Sequence, residues 1–443
     1  MGFRRGLFAA CALAGCLFVA PRAFAQVEPK KAPPSDIEKE APAPPDEPAP
    51  KSDRSSGDEP GKNGETPPPA KAKAATDEAA DKSKDAAARK DRPLRDYLKL
   101  TVGPITFSPI LLVQAQAAPY VGKSSFTLSG DPADTAGFRI QRARFGLEVN
   151  LANQGRGAVS VELGSREDGT ARIHDAWLAY VGFPYAQIFA GAQTVPFSRS
   201  ALIDSAGSAL VDRPLAVRSM APGHQVGIVG RGSVAEGAFS YDVGVFNGFH
   251  RVDQFYQGYG QNSAPFGNRF NGLAYVGRLG TEPVGKLSST IADVTHESPR
   301  FGIGASYAYS DGGAAGVHNA GVDALLHAKG FHLLGEFLFS SVQPKSTPTQ
   351  STATVVKIQS IGAVAETGYM IVERLFGLNA RFEYIDPNGS VDNEGDAFLI
   401  GGGASFQFLD GIFKTQAEFM HREERHGTSL QNDYLMLQGQ ISL

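Results

Sequence analysis

Read with a period of two, residues 138–151, FRIQRARFGLEVNL, separate into two faces. Ala143, Phe145, Leu147, Val149 and Leu151 fall on one side, and Arg142, Arg144, Glu148 and Asn150 on the other. Successive side chains of a β-strand point to opposite faces, so this stretch predicts a strand with one apolar and one charged face. The division recurs along the chain. Val159, Val161 and Leu163 oppose Ser160, Glu162 and Arg166, while Leu378, Ala380, Phe382 and Tyr384 oppose Asn379, Arg381 and Glu383. Phe413, Ala417 and Phe419 oppose Lys414, Gln416, Glu418 and Arg422, and Leu435, Leu437, Gly439, Ile441 and Leu443 oppose Gln438, Gln440 and Ser442. About sixteen such segments follow one another from 104–117 to 433–443, with no helical period of useful length between them. An apolar strand face can rest on a core or on lipid, and the pattern alone leaves both open.

The connections help decide. Short turns at 152–156, 184, 232–237, 330, 376–377 and 410–411 alternate with long polar stretches at 119–137, 249–269, 281–299, 342–353 and 387–396. Short turns at one end and long loops at the other are the habit of a transmembrane barrel, where an outward apolar face meets lipid and an inward polar face meets water. Backbone groups at membrane depth must all be paired, which demands a closed sheet with no edge. The predicted fold is therefore all-β: an antiparallel barrel of about sixteen strands over 97–443.

The first hundred residues are a different material. Arg4 and Arg5, the apolar run 7–20 and Ala23-Phe24-Ala25 before Gln26 read as a signal peptide spanning 1–25. Leu13-Ala14-Gly15-Cys16 is a competing lipobox that would leave a lipidated Cys16. Residues 26–96 are dense in Pro, Ala, Lys and Glu and poor in large aliphatic residues, so disorder is expected there. Within them, 70–89 has helix propensity but no large apolar face; it reads as a solvated linker, with a cell-wall contact or a weak oligomerising helix as the alternative.

Composition excludes several functions. A net charge of −4 without a basic stripe argues against nucleic acid. The two cysteines, Cys11 and Cys16, lie in the export signal, so neither a disulfide framework nor a cysteine metal site is expected. His174, His224, His296, His318, His327, His332, His421 and His426 are scattered without metal-ligand spacing, so no metal or other cofactor is expected. Asp204, Ser205 and His224 could be arranged as a triad on paper, but nothing marks a nucleophile, and the chain is not read as an enzyme.

Several segments in order carry a resemblance: FRIQRARFGLEVNL, IHDAWLAYV (173–181), AGAQTVPFSRS (190–200), VDRPLAVRSMAPGHQVGIVGRG (211–232) and YDVGVFNG (241–248). GFHLLGEF (330–337), ARFEYIDPN (380–388) and the LQGQISL ending extend it. Together they resemble the phosphate-selective porin O/P family over roughly 97–443. The resemblance implies a barrel in the outer membrane, commonly a homotrimer, that passes small anions. It does not by itself make phosphate the solute. It also implies that the long segment 196–223, after the fifth strand, folds into the pore, although its charges alone fit a solvated surface loop equally well.

An anion path needs fixed positive charge, and arginine suits phosphate oxygens because its planar fork binds them in pairs. Candidates are Arg199, Arg213 and Arg218 in 196–223, and Arg142, Arg144, Arg231, Arg278, Arg381, Lys414 and Arg422 on polar strand faces. Each has a structural alternative, pairing with a lumenal acid such as Glu148, Glu162, Asp175, Glu336, Glu383 or Glu418. Two other functions compete: an outer-membrane anchor whose tail contacts the cell wall, and a general or organic-solute channel of the same fold.

Overall fold

The computed structural model describes residues 98–124, 135–152, 154–164, 171–183, 185–249, 272–311, 315–344 and 357–443. The expected signal peptide over 1–25 and the 26–96 segment lie outside the described residues. A short strand, β1 (Leu100–Val102), turns back on β2 (Ile105–Val121). Then follow β3 (Gly137–Leu151), β4 (Gly155–Glu162), β5 (Arg172–Tyr180), β6 (Gln187–Thr194), β7 (His224–Val234), β8 (Phe239–Asn247) and β9 (Leu273–Val284). The second half holds β10 (Arg300–Asp311), β11 (Ala315–Ala328), β12 (Phe331–Pro344), β13 (Ile358–Val372), β14 (Phe376–Asp386), β15 (Ala397–Phe408), β16 (Phe413–Glu424) and β17 (Tyr434–Ser442).

Each strand from β2 onward pairs antiparallel with its neighbours in sequence, and β17 pairs with β2, so sixteen strands close into a barrel. Hairpin chemistry supports the meander: Lys329 and Gly330 both have positive φ, 52° and 91°, as a two-residue turn matching the strand twist requires.

Burial is inverted relative to a soluble protein. Phe138 is 93% and Leu178 75% exposed, whereas Gln114 and Glu366 are 0% exposed. The predicted faces hold: Phe145, Leu147, Val159, Leu378, Phe382, Phe419 and Leu437 point outward, and Arg144, Glu162, Arg381, Glu383, Lys414, Glu418 and Gln438 are buried inside. Such a barrel is stable only with hydrocarbon against its outer wall. Among the described residues, no helix is long and apolar enough to cross a membrane.

Two expectations need correction. The stretch 281–299 was expected among the long loops of one end. Its strand parity instead puts 285–299 at the short-turn end, between β9 and β10. It folds inward, with Ile291 2%, Ala292 4% and Asp293 0% exposed. Nor is the interior wetted all round. Phe197, Val217 and Met220 pack against Phe246, Val276, Val317, Leu338 and Val364 from the wall, filling one sector with an apolar cluster. Period-two reading gave each strand a polar inner face and missed wall positions whose inward residue is apolar because a loop lies on it.

Candidate functional site

Residues 195–223, between β6 and β7, run through the barrel interior. They contain two short helices, α1 (Arg199–Leu202) and α2 (Leu215–Met220). A buried loop must find partners for its backbone, and here wall side chains supply them. Glu336 of β12 accepts from the Ser198 hydroxyl at 2.9 Å and the Ser200 amide at 2.7 Å. Glu418 of β16 accepts from the amides of Val211 at 2.7 Å and Asp212 at 3.3 Å, and Glu383 of β14 from that of Ala216 at 3.3 Å. Donors serve the loop carbonyls: Lys414 Nζ reaches Ala206 O at 2.6 Å and Ser208 O at 2.9 Å, and Arg381 reaches Asp212 O at 2.7 Å. The 285–299 segment joins from the opposite end, the Ile291 amide donating to Gly207 O at 3.0 Å.

The ten candidate cations divide by environment. Arg381 lies among Glu366 at 2.7 Å, Glu383 at 3.6 Å and Glu418 at 3.7 Å. Arg278 and Arg199 converge on Asp323 at 2.6 and 2.9 Å. Arg422 meets Glu424 at 3.3 Å, and Arg144 joins Glu162 at 3.5 Å to Asp204 at 2.9 Å. With Lys414, these cations are buried or nearly so and held in structural contacts, Asp204 alone among their acids being exposed. Arg231 is partly exposed and paired with Asp242 at 3.0 Å. Arg142 and Arg213 are half-buried and donate to neutral acceptors, Gln114 Oε1 and Ile203 O, both at 2.6 Å. Arg218 projects from α2 and is half-buried too.

One cation of the same face was missed. Between Gln114↔Arg142 and Ala115↔Ile140 the register of β3 against β2 shifts by a residue, a β-bulge at Gln141. Beyond it, Arg139 faces inward beside Gln116, while Phe138 and Ile140 face out. Strict alternation placed Arg139 with the apolar side. The Arg-x-x-Arg-x-Arg spacing of 139, 142 and 144 was the only trace of the shift. Arg139 Nε donates to Gln116 at 2.8 Å, Gln116 to Gln438 at 2.8 Å, Gln438 to Gln416 at 2.9 Å, and Gln416 to Ala209 O at 2.9 Å. This ladder of amides fixes the arginine face relative to the inward segment.

The charges across the gap are mixed. Arg139 Nη2 lies 3.8 Å from Asp212. Burial alone would raise the Asp212 carboxyl, but Arg218, Arg139, Arg142 and Arg381 outweigh it and hold the group below the usual carboxylate range. Asp204 is likewise held low, burial being outweighed chiefly by Arg144 and by the Ala206 amide. Both acids therefore stay ionised and are outnumbered by the arginines around them.

A closed sixteen-stranded wall with a segment folded through its middle defines an outer-membrane porin. The phosphate-selective porin O and P profile matches residues 126–441, and the chain belongs to that family. No curated protein matches it. Among solved structures, OmpF of Salmonella typhi in complex with daunomycin aligns at TM-score 0.52 and 12% identity, covering 78% of this chain and 100% of that one. The outer membrane channel DcaP of Acinetobacter baumannii aligns at 0.52 and 11%, over 77% and 99%. The anion-selective porin from Comamonas acidovorans aligns at 0.50 and 11%, over 76% and 98%. At such identities the likeness is one of fold.

Proposed function

We propose that this outer-membrane channel passes small anions by diffusion, with inorganic phosphate as the candidate solute and no chemical turnover. One observation carries the reading: the bulge in β3 aligns Arg139, Arg142 and Arg144 on the lumenal face, within electrostatic reach of Arg213 and Arg218 of the inward segment. Arginines that keep some access to water can exchange hydrogen bonds with a passing oxyanion, whereas those sealed in ion pairs cannot. Arg139, Arg142, Arg213 and Arg218 are therefore the path, with Arg231 an outlying station. Arg144 supports the field. Arg199, Arg278, Arg381, Lys414 and Arg422 hold the wall and loop together. Family membership and the anion selectivity of the Comamonas porin support this choice.

An even strand number returns the chain to the side where it entered, which puts both ends of the barrel in the periplasm. Family membership also supports a homotrimer. Reversal potential across a KCl gradient in a planar bilayer tests the reading. Chloride preference is expected, with phosphate reducing the chloride current by competition; cation preference would end it. The narrowing by two inward segments favours one rival, a plugged anchor, and an absence of conductance would select that rival.

A further inference from the structure

His174 and Asp175 are adjacent, and in a regular strand they would face opposite sides of the wall. The register of β5 against β4 steps between Ser160↔Asp175 and Val161↔Ile173, leaving His174 as the extra residue of a β-bulge. Both side chains thereby reach one place, where His224, the first residue of β7, meets them. The two imidazole centroids are 4.0 Å apart. His224 Nε2 lies 3.3 Å from Asp175 Oδ1, and His174 Nε2 lies 3.8 Å from Asp175 Oδ2, too far for a hydrogen bond. A ligand atom from each of the three residues lies within 4.8 Å of the other two. The side chains of His174, His224 and Asp175 remain 16%, 20% and 23% exposed, so the cluster is open to the lumen.

We propose that His174, Asp175 and His224 form a lumenal binding site for a divalent transition ion of the zinc class. Two imidazoles and a carboxylate with one open side match a three-ligand centre completed by water. Bonds of roughly 2.0–2.1 Å at tetrahedral angles put donor atoms about 3.3 Å apart. The His224 Nε2–Asp175 Oδ1 separation already has that value, while His174 Nε2 lies nearest the other carboxylate oxygen, Oδ2, at 3.8 Å, so closure on one ion takes a small turn of the His174 ring or of the carboxylate. The carboxylate is oriented from behind: Ser160 Oγ donates to Asp175 Oδ2 at 3.0 Å and accepts from the Asp175 amide at 3.1 Å. Thr194 Oγ1 contacts His224 Nε2 at 3.0 Å and would release it to a metal.

The surrounding charges set the selectivity. Arg144 and Arg213 lie within electrostatic reach of His174 and oppose any cation held by charge alone. Hard ions such as calcium and magnesium are therefore disfavoured, while a borderline ion bound through imidazole nitrogen tolerates that field.

Cobalt(II) titrated into the purified full-length protein in detergent is the probe. A saturable visible ligand-field band of one cobalt per chain is expected, displaced by zinc and not by calcium or magnesium. His174→Gln and His224→Gln should each weaken cobalt binding at least about tenfold, and Ser160→Ala by about tenfold through the orienting hydroxyl. If either Gln variant fails to assemble, Asp175→Asn supplies the same comparison. No band, a band unchanged in the variants, or equal displacement by calcium would each overturn the assignment. Because the band is read without current, it is independent of whether the pore prefers anions.

Discussion

At the scale of single residues, arginines that look alike in sequence do two jobs, and the difference lies in their acids. Arg381 is 2% exposed and Glu366 fully buried at 2.7 Å, so truncating one leaves the other charged and dry. Removing one partner of such a pair costs about 3–5 kcal/mol. Arg381→Met should therefore lower the temperature at which the folded band converts to the unfolded band on a heated gel, while leaving selectivity nearly unchanged in the molecules that assemble. Arg139→Gln and Arg142→Gln should do the reverse: the melting temperature holds, and the reversal potential moves toward the cation side, further in the double variant. Alternation revealed Arg142 and Arg144 because they sit on the regular part of β3. It concealed Arg139 because a bulge is written in backbone geometry, not in residue type. Glu162, Glu383 and Glu418 were legible as acid partners, but Glu366, Asp323 and Asp204 were not, since they are brought from other strands or from the inward segment.

At the scale of elements, the informative object is residues 195–223. Its length and its place after the fifth strand were readable; its fastening was not. Glu336, Glu383 and Glu418 read as neutralising partners for arginine, yet each also receives backbone amides of the segment. Glu418→Ala strips Val211 and Asp212 of their acceptor, and a buried amide without a partner costs on the order of 1–3 kcal/mol. Flickering single-channel current and faster proteolysis near Val211 are expected, against a quiet current in the parent.

The 387–396 loop offers a different test. Burial, together with the nearby carboxyl of Asp386, pushes Asp396 up to about 6. A carboxyl raised in the folded loop favours that loop when protonated. This contribution is complete below the unfolded value of about 3.9 and is lost as pH rises through about 6. Hydrogen-exchange protection at Gly389 and Asp396, corrected for the intrinsic rate, should fall across that window. Asp396→Asn should flatten the fall.

At the scale of the whole molecule, the sequence carried its message most fully. Sixteen segments and their order were readable, and so was the lipid side of the five segments whose faces were assigned, apart from the stretch of β3 before its bulge, because the bilayer imposes one rule on every strand. What escaped is what happens inside, where two segments from opposite ends meet and no single period governs. A closed sheet also restricts how its length can change. Losing one residue from a regular stretch of wall turns every following side chain inside out as far as the next turn. Gln141 and His174 are exempt, because each is already surplus to the ladder. Deleting either should give a barrel that still assembles, whereas deleting Phe145 should not, and the heated-gel shift will tell them apart. The register steps at Gln141 and His174 are thus seams where the channel can be recut by whole residues, one bearing on its arginines and the other on its histidines.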